Sequence, residues 1–168
     1  MCTIPVQVSV IGSSGVISRE TYEVARKVGY LIAKRGGVVI CGGRGGVMEA
    51  VAKGATEGGG VAVAILPTMD KKQANPYCKI VITTSLGFAR NAVVVSAGDA
   101  VIVIGGAVGT LSEVGLALAY GKPVIAVKGT GGVADMLAGR EIDGYKVFPA
   151  SSAEEAVELA FKLVSARE

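Results

Sequence analysis

The segment Ala100-Val-Ile-Val-Ile-Gly-Gly-Ala-Val-Gly-Thr-Leu-Ser-Glu113 decides the fold class of this chain. A β-branched apolar run leads into a glycine-rich turn, and the turn opens directly into a helical pattern. This order places free backbone N–H groups and the positive end of a helix dipole at the carboxyl end of a strand, where phosphates bind. The segment therefore predicts a parallel sheet that carries an anion-binding turn.

A second copy of this pattern occurs in Val38-Val-Ile-Cys-Gly-Gly-Arg-Gly-Gly-Val-Met-Glu49. Three glycines of each loop align without gaps, Gly42, Gly43 and Gly46 with Gly105, Gly106 and Gly109. Tight strand–helix turns also need glycine simply for positive φ or close packing. Two matching loops and a third small-residue turn at 12–15 favour ligand binding, because all three follow strands and ligands of open α/β sheets bind at that edge.

Neither loop has the spacing of the common nucleotide motifs. No Gly-Lys-Ser or Gly-Lys-Thr follows, so hydrolysis of a nucleoside triphosphate is disfavoured. The first loop also lacks the Gly-x-Gly-x-x-Gly spacing of dinucleotide sites, which disfavours NAD.

The composition indicates an apolar chain of about one domain. It has 168 residues, of which 51% are hydrophobic and 18% charged, whereas about a quarter are charged in an average protein. No uninterrupted apolar run approaches the ~18 residues that cross a bilayer. We therefore expect no membrane partner, and assign the apolar surplus to contacts within a homodimer or higher homo-oligomer.

Charge, histidine and cysteine content exclude further classes of function. The net charge of +3 comes from 17 basic and 14 acidic residues spread along a chain without Trp, so we expect no nucleic-acid partner. The lack of histidine excludes His-based triads and imidazole metal sites, and we expect no metal. The widely spaced Cys2, Cys41 and Cys78 fit neither a disulfide framework nor a metal site. With no leader-like segment, we expect a cytoplasmic protein.

Apolar strands alternate with helical patterns, which predicts one α/β domain over 1–168 with a mostly parallel sheet and helices on both faces. The predicted strands are 6–11, 38–41, 61–66, 79–83, 101–104, 123–127 and 146–148. The predicted helices are one capped by Ser18, then 47–57, 86–97, 110–120, a short one within 130–139, and a last one capped by Ser151 or Ser152. In 86–97 the run Val93-Val-Val95 prefers a strand, but its position between two strands favours a helix.

Two charged residues have positions that suggest a function. Arg90 lies in an apolar run, where a guanidinium must reach water, pair with a carboxylate such as Glu113, or meet an anion. Glu113 follows Thr110 by three residues, the spacing of a capping box at a helix start. The same spacing places a carboxylate one turn into the helix that follows the phosphate-type turn. Both interpretations of Glu113 stay open at this point.

These motifs resemble those of a known superfamily. The run 105–113 is similar to the Pro-Gly-Gly-x-Gly-Thr-x-x-Glu loop of LOG (Lonely Guy) cytokinin-activating phosphoribohydrolases, and 42–48 is similar to their loop ending in Gly-Leu-Met. Arg90-Asn91 stands where these enzymes carry Arg-Lys. Over almost its whole length the chain resembles the superfamily of these enzymes and the molybdenum cofactor carrier proteins, many of which bear the legacy label lysine decarboxylase-like.

Three departures from the LOG motif favour the carrier branch: Gly105 replaces the proline, Ala107 the second glycine, and Asn91 the lysine. The resemblance implies a Rossmann-like, doubly wound fold, a homo-oligomer and a phosphate site. The predicted phosphate- or nucleotide-binding residues are Gly12, Ser13, Gly42, Gly43, Gly46, Met48, Gly106, Gly109 and Thr110.

The preferred function is binding of a phosphorylated nucleotide or pterin-type ligand, such as an AMP-like nucleotide or molybdenum cofactor, with no required cofactor. The alternative is hydrolysis of nucleoside 5′-monophosphates to free base and ribose 5-phosphate, for which the resemblance implies Arg90 and Glu113 as catalytic residues. The third hypothesis is a purely structural oligomer whose glycine loops are only tight turns. Nothing in the sequence supports lysine decarboxylation, since no pyridoxal phosphate site is recognisable.

Overall fold

The computed structural model describes residues 3–167, so Cys2 lies outside the described residues. Within this range eight strands form one sheet in the order β4-β3-β2-β1-β5-β6-β8-β7. The strands are β1 (Gln7–Gly12), β2 (Val38–Cys41), β3 (Val61–Leu66), β4 (Ile80–Thr83), β5 (Ala100–Ile104), β6 (Val124–Val127), β7 (Glu141–Ile142) and β8 (Tyr145–Ala150). The helices in the same range are α1 (Arg19–Lys34), α2 (Val47–Glu57), α3 (Arg90–Ala97), α4 (Val108–Ala119), α5 (Gly132–Leu137) and α6 (Ala153–Ser165).

The sheet confirms the predicted α/β class. Neighbouring strands pair in parallel except β7 and β8, which are antiparallel. Strand β7 was not predicted from the sequence, and β8 is longer than the predicted strand 146–148. A tight turn with positive φ at Asp143 and Gly144 folds β7 back onto β8 and extends the pairing, a geometry typical of two-residue hairpin loops.

Helices cover both faces of the sheet, as predicted. Buried residues of α1, α2 and α6 form one core against it, and those of α3, α4 and α5 form the other. The ambiguous valine run is helical because Val94 and Val95 are fully buried against the second face. Ser18 and Ser152 cap α1 and α6, each accepting the backbone N–H three residues later. Among residues 3–167, none of the helices has both the length and the apolar character that a bilayer crossing requires.

The strand order reverses between β1 and β5. From β1 the chain adds β2, β3 and β4 towards one edge, and then returns to add β5, β6 and β8 on the other side. In open α/β sheets the crevice outside the carboxyl ends of the strands at such a reversal is where ligands bind. The loops after β1 and β5 meet at this point.

Close packing of α1 on α2 holds the first two loops together. A Cβ atom at Gly29 would lie 2.0 Å from the Val51 carbonyl oxygen, and one at Gly54 would lie 1.7 Å from the Arg26 carbonyl oxygen. The two helix backbones therefore touch directly, which requires glycine at both positions.

Substitution Gly54→Ala is expected to destabilise the fold by about 2 kcal/mol, because backbone overlap outweighs the roughly 1 kcal/mol by which alanine favours a helix. Urea unfolding measures this difference. The control is Gly115→Ala in α4, where a Cβ atom meets nothing within 4 Å and stability should be unchanged or slightly higher. Equal stabilities of the two variants would contradict the packing argument.

Candidate functional site

A pocket of about 160 Å³ opens at the reversal point between β1 and β5. Its walls come from the end of β1, the second glycine loop, the start of α3 and the first two turns of α4. Seven predicted site residues line it: Gly12, Gly42, Met48, Arg90, Gly109, Thr110 and Glu113. The tertiary structure thus brings together residues that are up to 101 positions apart, from Gly12 to Glu113.

Ser13, which was predicted to contact the ligand, does not line the pocket. Instead it forms hydrogen bonds to the end of β5, to the start of α2 and to the glycine turn after β5. Its backbone N–H donates to the Ile104 carbonyl at 3.2 Å, and its carbonyl accepts from the Val47 N–H at 2.9 Å. Its hydroxyl oxygen accepts from the Gly106 N–H at 2.7 Å. These hydrogen bonds fix the ends of β1 and β5 and the start of α2 relative to one another.

Three predicted glycines also lie outside the lining and serve packing. A Cβ atom at Gly46 would lie 2.4 Å from the Ser13 carbonyl oxygen, and one at Gly43 would lie 2.4 Å from Cβ of Ala64. Gly106 has φ 107 and donates its N–H to Ser13. At these positions the structure shows the tight turn that the sequence analysis weighed against ligand binding.

The start of α4 leaves backbone donors free. The N–H of Gly105 donates to the hydroxyl of Thr130 at 2.9 Å, and the first bond of the helix runs from Leu111 to Ala107. Among residues 3–167, no acceptor meets the N–H groups of Val108, Gly109 or Thr110. The anion-binding potential of a helix N-terminus therefore resides in these three amides.

The structure also rules out the capping-box interpretation of Glu113. Helix α4 begins at Val108 rather than at Thr110, with Ala107 in the capping position. The Thr110 hydroxyl instead donates to the Gly12 carbonyl at 3.2 Å. Glu113 therefore lies in the second turn of the helix, facing the pocket.

Arg90 packs against Gly42 at the base of the pocket. A Cβ atom at Gly42 would lie 2.0 Å from Nη1 of Arg90 and 2.6 Å from Sδ of Met48. Glycine at position 42 therefore leaves room for the guanidinium group. The Nε atom of Arg90 is buried and has no hydrogen-bond partner among residues 3–167. Burial lowers the pKa of Arg90. A buried donor without an acceptor costs about 1–3 kcal/mol, which an anionic ligand would offset.

Glu113 is only 9% exposed. Burial raises the pKa of Glu113 to about 7, while the charge of Arg90 opposes the shift. The two side chains form no direct ion pair; the ion pairs in the part of the chain that the structure describes join Arg26 and Lys27 to other glutamates. Arg90 and Glu113 therefore attract each other electrostatically without a direct ion pair. With a pKa of about 7, Glu113 is partly protonated at neutral pH.

Six residues of the pocket wall were not predicted as site residues: Val10, Ile11, Ser14, Phe88, Asn91 and Ala107. Two of them, Asn91 and Phe88, have side chains that shape the site. Asn91, which replaces the LOG lysine, is 7% exposed and donates its amide to the Ser112 hydroxyl at 3.3 Å, joining α3 to α4. Phe88 is 88% exposed at the rim of the pocket. A single 3-10 turn, Gly87–Ala89, precedes α3 and turns this ring outward, which the apolar run alone did not indicate.

Substitution Glu113→Gln tests the buried carboxyl. Because the pKa of Glu113 is higher in the folded than in the unfolded chain, the folded state binds a proton more tightly. The free energy of unfolding of the wild type therefore falls as pH rises from about 4.5 to 7. The glutamine stays neutral, so the variant should gain stability over wild type across this range, levelling at about 3 kcal/mol above pH 7. Urea unfolding at pH 5 and pH 8 measures the difference, with Glu158→Gln on the exposed face of α6 as control. A difference that does not grow with pH would contradict the burial argument.

Solved structures of similar proteins share this architecture. The molybdenum cofactor binding protein of the phototrophic bacterium Rippkaea orientalis matches with a TM-score of 0.88 and 34% identity, over 97% of this chain and 99% of that chain. The molybdenum cofactor carrier protein of Chlamydomonas reinhardtii matches with a TM-score of 0.85 and 29% identity, over 97% and 99% of the two chains. These similarities confirm the Rossmann-like fold.

In sequence, the chain is 33% identical over 117 residues to a cytokinin riboside 5′-monophosphate phosphoribohydrolase of Mycobacterium tuberculosis. This match covers 64% of this chain and 63% of that protein. The SLOG cluster4 family model matches residues 5–157. With the glycine loops, the pocket and the fold all in agreement, this chain belongs to the SLOG cluster4 family, within the superfamily of LOG and molybdenum cofactor carrier proteins.

Proposed function

We propose that this chain binds a phosphorylated small molecule in the pocket at the start of α4, with a pterin-type ligand such as molybdenum cofactor as the preferred class. One observation carries the proposal: Gly109 and Thr110, whose N–H groups meet no acceptor among residues 3–167, line the same pocket as Arg90, whose buried Nε also has no partner in that range. A phosphate group offers several charged acceptor oxygens, which suit both a helix N-terminus and a guanidinium.

The volume of the pocket supports a ligand that is only partly enclosed. Its 160 Å³ is smaller than the roughly 300–1,000 Å³ of sites that enclose a drug-sized ligand. The phosphate end would fill the pocket, and the remainder would lie across the rim, where Phe88 exposes its ring. A flat heteroaromatic ring stacks favourably on such a side chain, so a pterin or purine suits this rim.

Charge around the pocket also favours an anion. Arg44 lies close enough to lower the pKa of Arg90 by repulsion, so two guanidinium groups contribute positive potential near the free amides. The names of the Rippkaea and Chlamydomonas proteins, which match nearly the full length of this chain, support the pterin-type ligand over a nucleotide.

Substitution Gly109→Ala is expected to weaken binding of AMP by roughly tenfold or more. The added methyl group would keep the phosphate from forming charge-assisted hydrogen bonds with the α4 amides. The site has room in the free protein, since a Cβ atom there lies 3.9 Å from its nearest neighbour, Nδ2 of Asn91. Isothermal titration with AMP, which presents a phosphate and a flat ring, measures the loss. Gly115→Ala makes the same chemical change outside the pocket in the same helix and should bind AMP as wild type does. Unchanged affinity in Gly109→Ala would refute the role of these amides.

Mass spectrometry of the ligand released from protein purified from a host that makes molybdenum cofactor separates the two ligand classes. A pterin phosphate supports the preferred class, and a nucleotide alone overturns that preference.

One observation favours hydrolysis as a second candidate. Glu113 has a pKa of about 7, so near neutral pH its carboxyl group can either accept or donate a proton, as a general acid or base must. In a nucleoside 5′-monophosphate, water would attack C1′ of the ribose as the C1′–N bond to the base breaks. Glu113 would take a proton from the water and pass it to the leaving base, so that the products are free base and ribose 5-phosphate. Arg90 would orient Glu113 or the leaving base. The similarity to the mycobacterial phosphoribohydrolase supports this alternative.

If the chain is a hydrolase, Glu113→Gln should lower the release of adenine from AMP by about 100-fold or more, the usual range for loss of a general acid or base. Affinity for AMP should change much less, because the α4 amides and Arg90 remain. Chromatographic detection of free adenine and ribose 5-phosphate provides the assay. If wild-type protein releases no adenine above a heat-denatured sample, hydrolysis of AMP is excluded and binding remains the function.

A further inference from the structure

The helices on the two sides of the sheet differ in their outer surfaces. On one side α1 and α6 present charged residues to solvent, among them Glu23, Lys27, Glu158 and Lys162. On the other side α4 has a single charged residue, Glu113, which is buried and lines the pocket. The solvent side of α4 therefore carries no charge, whereas a helix that faces water ordinarily has a polar outer side.

The exposed residues of α4 lie along one side of the helix. They are Val108, Leu111, Ser112, Gly115 and Ala119. Apart from Ser112 they follow one another at three or four residues, which is the spacing of neighbours on one side of a helix. Val108 is 83% exposed and Leu111 is 43% exposed. The outer side of α4 thus presents apolar and small residues to solvent along its whole length.

The hairpin of β7 and β8 extends this apolar surface. Ile142 and Tyr145 are register partners in the hairpin, so their side chains lie on the same side of it, and they are 46% and 45% exposed. Together with Leu111 and Ala119 they line a groove of about 230 Å³. Gly115 also lines the groove, and the methyl group of an alanine there would leave it apolar and open. We call the exposed side of α4 together with these two hairpin residues the α4 face.

The α4 face has an area that suits a contact between subunits. Its four large side chains, Val108, Leu111, Ile142 and Tyr145, expose roughly 400 Å² if a fully exposed large side chain presents about 150–250 Å². That is about half of the ~800 Å² that each partner contributes to a standard interface. Tyr120, which is 48% exposed at the end of α4, and the small residues of the helix enlarge the surface towards that size.

The charge of the α4 face limits the kind of partner that fits it. Asp143 is the only charged residue among those that line the groove, and polar groups are usual at the rim of an apolar interface. Nucleic acids and anionic membranes are bound through basic residues, and the α4 face contains none. An uncharged apolar face is complementary to another of the same kind, and a second copy of this chain supplies one.

We propose that two copies of this chain associate through their α4 faces around a two-fold axis. In such a contact both copies use the same surface, so the groove of each copy accepts side chains from α4 of the other. The association removes both apolar faces from water, which is its driving force, and leaves the charged sides of α1 and α6 on the outside. None of the residues of the α4 face lines the ligand pocket, so the proposal does not depend on which ligand binds there.

Sedimentation velocity of the whole chain at micromolar concentration tests the association. Wild-type protein should have at least twice the 16.9 kDa mass of one chain. In Leu111→Glu and in Tyr145→Glu the association should weaken by roughly 100-fold or more, because a carboxylate then enters the apolar contact on both copies. Each of these variants should sediment with half of the wild-type mass or less, and circular dichroism shows whether it is folded.

The matched control is Tyr30→Glu. Tyr30 is 39% exposed on α1, on the opposite side of the sheet, so the same substitution should leave the wild-type mass unchanged there. Equal dissociation of this control would contradict the proposal.

Two further outcomes would overturn it. A wild-type chain that sediments as a monomer would leave the α4 face to a different protein. An assembly that keeps its mass in a folded Leu111→Glu or Tyr145→Glu variant would be held together by another surface. Because Tyr145 lies in an exposed hairpin, its variant remains informative even where Leu111→Glu fails to fold.

Discussion

The hydrogen bonds of Ser13 are the constraint on which the site depends. One residue, directly after β1, accepts from the start of α2, donates to the end of β5 and accepts from the glycine turn that follows β5. Gly12 beside it must be glycine, because a Cβ atom there would lie 1.9 Å from the Ile104 carbonyl oxygen. Each hydrogen bond contributes only about 1 kcal/mol, but together they set the relative positions of the loops that form the pocket.

Because of these hydrogen bonds, the glycine loop after β2 and the glycine loop after β5 have different roles. In the second loop the first amide of α2, that of Val47, already donates to Ser13. In the loop after β5 the N–H groups of Gly105 and Gly106 donate to Thr130 and Ser13. The N–H groups of the first turn of α4 meet no acceptor within the described range 3–167. One loop therefore builds the crevice, and the other supplies the donors that suit an anion.

The charged residues of the pocket are costly to the free protein. Among residues 3–167, the buried Nε of Arg90 has no acceptor, and Glu113 lies where burial makes ionisation unfavourable. Unfavourable burial of titratable groups in a crevice is typical of functional sites, because a ligand or a reaction can use the charge that the fold leaves uncompensated. This cost supports a functional assignment for the pocket more directly than the glycine pattern does.

The sequence by itself determined the α/β class, the parallel strands, helices on both faces and the cap at Ser18, and it limited the cap of the last helix to Ser151 or Ser152. These features follow from local periodicity and from side chains that act within one turn of their own position. The shared motifs also identified the superfamily correctly. Only the tertiary structure decided where α4 begins, which loops Ser13 joins, and that Phe88 faces solvent. A glycine needed for packing and one that faces a ligand look alike in sequence, because the difference lies in the neighbours that distant strands bring to them.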